Sequence, residues 1–203
     1  MLSKLRHTIL PALAVGAALA FAGCGDDDSS GDARPAPSGN PVDRAFVADM
    51  VPHHESAVEM AKIAQSRGSS AFVMKLADDI VRTQNDEIAT MRAADERLQS
   101  AGITTGSLGV EGHMMEEQEV ASLKTAKQFD RAFMELMIPH HEAAIPMSRA
   151  EIAKGEDAQL KALAQDIITA QQREISAMRK QLGKSGAATM DDMDAEHGGG
   201  HSG

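Results

Sequence analysis

Two stretches of the 203-residue chain concentrate the side chains that can do chemistry. Met50-Val51-Pro52-His53-His54-Glu55 recurs as Met137-Ile138-Pro139-His140-His141-Glu142, and a further methionine follows each, Met60 and Met147. Thioether and imidazole are among the softer ligands a protein offers, and they suit a soft cation. The residues that are missing narrow the choice. Three positions before the first histidine of each pair stand Met50 and Met137, where the Glu-x-x-His motif of di-iron bundles has glutamate. The second histidine of a zinc-protease His-Glu-x-x-His helix would fall at Val58 and Ile145. The only cysteine is Cys24, so no thiolate cluster is available. Methionine with imidazole and without thiolate points to copper, Cu(I) in particular.

These side chains need an element that gathers them. At about 100° per residue on a helix, Met50, His53, His54, Ala57, Met60 and Ala61 fall within about 120° of one another. Met137, His140, His141, Ala144, Met147 and Ser148 do the same. On a following helix Leu76, Ile80, Glu87 and Met91 share a face, as do Leu163, Ile167, Glu174 and Met178. A glutamate inside an apolar line needs a partner, and histidine or a metal on the facing helix is the expected one. The predicted ligands are therefore Met50, His53, His54, Met60, Met137, His140, His141 and Met147, with Glu87, Met91, Glu174 and Met178 as an outer shell or additional ligands. A methionine stripe is often plain core filling, and a histidine pair can be satisfied by Glu87 or Gln84. The doubling of the whole set is what favours a metal.

The doubling is regular. Residues 43–92 and 130–179 align at a constant offset of 87 with 22 identities in 50 positions, Asp43-Arg44-Ala45-Phe46 matching Asp130-Arg131-Ala132-Phe133. Such self-similarity marks a duplicated unit with pseudo-two-fold symmetry. Each unit reads as a helical hairpin, 43–66 with 70–99 and 130–154 with 157–182. Asp43 and Asp130 are the expected N-caps, Gly68 and Gly155 the turns, and Gly102 and Gly183 the residues past the ends. Pro52 and Pro139 are expected to loosen each helix beside its histidine pair. No strand pattern competes, so the predicted fold is all-α: a four-helix bundle over 42–184, with a short linking helix near 115–127.

The flanks have other roles. Lys4, Arg6 and His7 precede an uncharged run from Thr8 to Ala22 that contains Pro11 and is too short for a membrane span. Residues 1–23 read as a secretory signal peptide, and the small residues before Cys24 resemble the bacterial lipobox, making Cys24 the expected lipidated N-terminus and membrane anchor. Residues 24–41 read as a tether of Asp, Ser, Gly, Ala and Pro. Removal of 1–23 leaves 18 basic against 30 acidic residues, a balance of −12. With neither Trp nor Tyr, that charge argues against a nucleic-acid partner. His113, Met114 and Met115 between the copies, and His197 and His201 in the Gly-rich stretch 185–203, are auxiliary metal-ligand candidates.

Phe-x-x-x-Met-x-Pro-His-His-x-x-Ala-x-x-Met, present at 46–60 and 133–147, resembles the signature of the family known as domain of unknown function 305. Gly112-His113-Met114-Met115 also resembles a connecting segment of its bacterial members. The resemblance covers about 43–182. It implies a ferritin-like bundle in exported bacterial proteins, some of them associated with copper binding and resistance. Pro146 and Ser148 depart from the pattern of the first copy, which has Glu59 and Ala61. The expected function is a membrane-anchored copper buffer or chaperone without catalysis. The alternatives are a ferritin-like metal oxidase using Glu87, Glu174 and the four histidines, or a structural bundle that forms homo-oligomers.

Overall fold

The computed structural model of the chain describes residues 38–110 and 117–195, without side chains beyond Lys184. The expected signal peptide, Cys24 and most of the tether lie outside these residues, as do His113, Met114, Met115, His197 and His201. Five helices and no strand occur among the described residues: α1 (Pro41–Arg67), α2 (Ala71–Ser100), α3 (Glu117–Leu123), α4 (Phe129–Lys154) and α5 (Ala158–Ala195). None is long and apolar enough to cross a membrane. Each repeat forms a hairpin, α1 with α2 and α4 with α5, and the hairpins join chiefly through α1 and α4. The all-α bundle read from the repeat is the fold observed.

Helix ends depart from expectation in an instructive way. The N-cap of α1 is Asn40, whose side chain accepts from the Val42 and Asp43 amides, with Pro41 at the first turn. Asp43 is the third residue of that capping box. Its carboxylate also accepts from the backbone amides of Glu156 at 3.0 Å and Asp157 at 2.8 Å, at the start of α5 in the other hairpin. Asp130 likewise leaves α4 without a side-chain cap. It accepts instead from the Ser69 and Ser70 amides at 2.9 and 2.8 Å, just before α2. Ser69 and Ser70 are the offset partners of Glu156 and Asp157. The repeated aspartate therefore ties the start of each hairpin to the turn of the other, a tie that no single helix contains.

Gly102 lies past the end of α2 with φ of 77°, as its position suggested. Gly183 does not end α5, which runs on to Ala195 through helix-favouring residues such as Lys184, Ala187 and Ala188. The linking helix ends at Leu123, before the residue 127 expected.

The apolar interior forms two clusters. One holds Phe46, Met50, Met91, Leu98, Met147 and Leu160, and the other Met60, Ile80, Phe133, Met137 and Met178. The offset of 87 maps Met50, Met91 and Met147 of the first onto Met137, Met178 and, in reverse, Met60 of the second, so the clusters are related by the pseudo-two-fold axis.

Candidate metal centre

The histidines lie midway between these clusters. α1 continues as helix through Pro52, and α4 through Pro139. The face computed from periodicity is the one buried: Met50, His53, His54, Met60, Met137, His140 and His141 are 0% exposed and Met147 is 1%. Crossing of α1 over α4 on the pseudo-two-fold axis sets the His53 ring against His140, with centroids 3.8 Å apart and planes 32° off parallel. His54 and His141 stand outward of this pair, each 6.2 Å from its chain neighbour's ring.

Each outer histidine meets the glutamate of its own hairpin. His54 Nε2 is 2.9 Å from Glu87 Oε2, and His141 Nε2 is 2.7 Å from Glu174 Oε2. An ionised carboxylate only accepts, so Nε2 carries a proton, and in the neutral ring Nδ1 then keeps its lone pair. Both Nδ1 atoms are buried without a hydrogen-bond partner among the described residues. Arg92 and Arg179 in turn pair with Glu55 and Glu142, the residues after the histidine pairs. Every element of the arrangement appears twice, 87 residues apart.

The methionines are regrouped relative to the sequence reading. Met50 and Met60 are ten residues apart, about 15 Å along a helix, and belong to different clusters. One group brings Met50 and Met91 together with Met147 of the other copy, and its counterpart brings Met137 and Met178 together with Met60. Met91 and Met178, expected as outer shell or additional ligands, belong to the same two clusters as the other four methionines. With Met91 and Met178 added to the eight predicted ligands, the four histidines are flanked by two groups of three methionines, one in each cluster, which periodicity along one helix cannot disclose. Among the described residues no three His, Cys, Asp or Glu side chains converge to hold an ion.

Gln84 and Gln171 were not among the predicted ligands. They are 4% and 3% exposed, and their Oε1 atoms have no hydrogen-bond partner among the described residues. The available signal was their identity in the repeat on the inward face of α2 and α5. Ser148 Oγ, where the first copy has Ala61, is also buried and without a hydrogen-bond partner.

A second buried polar group lies where the two hairpins are tied. Glu151 is 0% exposed, in the place held by Ala64 in the first copy. Burial pushes its carboxyl up to about 8, and hydrogen bonding with Asp43 and the negative charges of Asp43 and Asp157 add to the rise. Burial acts to raise Asp43 as well. The Asp157 and Asn40 amides, the Glu151 carboxyl and the Glu156 amide outweigh it and hold Asp43 below the usual carboxylate range. A Cβ on Gly155 would come within 2.3 Å of Glu151 Oε1 and 2.7 Å of Asp43 Oδ1, so this turn requires glycine.

Comparison with known proteins places this geometry among relatives. The pattern described as domain of unknown function (DUF305) matches residues 43–182. The solved structure of CopM in the Cu(I)-bound form superposes with a TM-score of 0.59 at 32% identity, covering 70% of this chain and 96% of that one. CopM has also been solved with Cu(II) and with silver. A DUF305 fragment from Deinococcus radiodurans gives a TM-score of 0.61 at 30% identity, over 73% of this chain and 99% of that one. An uncharacterized protein of Acanthamoeba polyphaga mimivirus is 43% identical over 53 residues, 26% of this chain. The match spans about a third of that curated relative's length, 35%.

Proposed function

The chain belongs to the DUF305 family, and on that premise we propose that it binds Cu(I) in the bundle interior, as a buffer or chaperone held at the cell envelope by a lipid on Cys24. One observation carries the reading: the Nδ1 atoms of His54 and His141 are buried without hydrogen-bond partners among the described residues, while Glu87 and Glu174 hold the opposite ring nitrogens. A carboxylate behind a ring fixes its tautomer and makes the free nitrogen a better donor, as behind many metal-bound histidines. Thioethers from the flanking triads add soft ligands without charge, which favours a monovalent soft ion. The metal-bound forms of CopM support the choice of metal. Glu87 and Glu174 are each committed to one histidine and are not gathered with a third such ligand, an arrangement suited to holding an ion.

Competition against a Cu(I) chelator under anaerobic conditions tests the reading. The protein is expected to withdraw Cu(I) from the chelator, to accept Ag(I) at the same place, and to bind Zn(II) more weakly. Failure to compete for Cu(I), or a preference for Zn(II), removes it. The anchor is tested separately: Cys24→Ala is expected to release the protein from membranes or block its processing. A cleaved mutant still retained on membranes contradicts lipidation at that residue. Each lipid methylene contributes ~0.8 kcal/mol of membrane affinity.

A further inference from the structure

The two halves of the centre differ at the surface. Between α2 and α5 lies a cavity of about 540 Å³, with Leu76, Thr83 and Ala177 among its lining residues and Glu174 at its wall. The Glu174 side chain is 13% exposed while its partner His141 is fully buried. One carboxylate thus reaches from the solvent side of this groove to a ring in the interior. Lys75, Arg82 and Arg173 also line the groove. Lys75 and Arg82 share Asp79, and Arg173 has no ion pair among the described residues.

The repeat shows that these cations, two from the first copy and one from the second, stand at only one of the two sets of places related by the offset of 87. At the offset of 87, Asp79 and Glu174 correspond to Asp166 and Glu87, so both acids are kept. Lys75, Arg82 and Arg173 correspond to Ala162, Thr169 and Asp86. The five places sum to +1 beside His141 and to −3 beside His54. A bare cation is repelled by the first set relative to the second, whereas an anionic species is drawn to it.

We propose that Cu(I) reaches and leaves the His141 half of the centre through the α2–α5 groove, exchanged with an anionic carrier, a Cu(I) complex whose own ligands bear net negative charge. The proposal rests on the copper reading above and adds to it a route and a carrier class. The step is ligand exchange. Copper remains Cu(I), its bonds to the carrier's donors are replaced by bonds to protein donors, and the carrier's ligands depart through the groove with the charge they brought. Lys75, Arg82 and Arg173 steer the complex, while Glu174 keeps the His141 ring oriented for the ion.

The test is the rate of loading at low ionic strength, followed by stopped-flow absorbance with two donors. One is the anionic bathocuproine disulfonate complex of Cu(I), and the other is the cationic tetrakis-acetonitrile complex. Replacement Lys75→Gln with Arg82→Gln and Arg173→Gln is expected to slow loading from the anionic donor about tenfold. Loading from the cationic donor should be unchanged or faster. The difference should close as added salt screens the groove, and equilibrium affinity should not move. Ala177→Trp, which fills the groove, is expected to slow loading from the anionic donor with equal final occupancy. An unchanged rate from the anionic donor in both variants, or equal slowing from both donors in the triple variant, overturns the proposal. Failure of the copper reading is distinct, because the wild-type protein would then take Cu(I) from neither donor.

Discussion

Replacing His53, His54, His140 and His141 together by alanine is expected to lower Cu(I) affinity by more than about 100-fold, beyond what loss of an outer-shell partner costs a metal site. All four rings are fully buried, so their replacement removes every imidazole donor from the bundle interior. The helices should survive. The ties that set the architecture lie elsewhere, in Asp43 and Asp130 at the turns and in the apolar clusters to either side. Four truncated rings leave cavities, so the melting temperature should fall while the helical circular dichroism at low temperature persists. Replacing only His113, His197 and His201 should cost loosely held ions at most. Equal Cu(I) affinity for wild type and the four-histidine variant would move the site out of the bundle, to the segments carrying His113, Met114 and Met115 or His197 and His201.

Glu151→Gln is expected to stabilise the protein at neutral pH and to flatten its pH dependence. The Glu151 carboxyl titrates near 8 in the fold against an ordinary 4.5. Between these values the native protein holds a proton that the unfolded chain has released, so stability falls as pH rises through that window. The slope approaches about 1.4 kcal/mol per unit for a single group. Asp43 has the opposite sign. Its value is lowered from 3.8, so it contributes stability above that pH and loses it on acidification. The two together place the stability maximum in mildly acidic solution. Glutamine keeps the size and polarity of the side chain without a proton that the fold must hold. Denaturant melts of wild type and Glu151→Gln between pH 5 and 9 measure the difference, and parallel curves would show that Glu151 holds no proton in this window. Asp43→Ala should destabilise at every pH above about 4, because it leaves the Glu156 and Asp157 amides without their acceptor.

Much of the site is legible in the chain of residues alone. The 87-residue repeat, the helical hairpins, the inward face carrying Met50, His53, His54 and Met60, and the need of Glu87 and Glu174 for partners all follow from local periodicity. Periodicity is a property of a single helix, and one helix of the sequence carries it entire. The direction in which Asp43 and Asp130 act escapes such a reading for a related reason. A cap is local by rule, but these two aspartates reach across the bundle to backbone amides far along the chain, |43 − 157| being 114 and |130 − 70| being 60.

What the tertiary structure decided is which repeated element faces which. The pseudo-two-fold axis sets His53 on His140, although the two lie in separate copies. It joins Met147 to Met50 and Met60 to Met137, dividing by about 15 Å of helix what the sequence groups within one motif. It buries Glu151 against Asp43 where the first copy has Ala64, and it gathers Lys75 and Arg82 of one copy with Arg173 of the other in a groove between α2 and α5. The physical reason is the same in each case. Helical phase is determined by bonds within a few residues, whereas the crossing of two hairpins is settled by the fit of their whole buried faces, and only that fit brings residues 87 positions apart into contact.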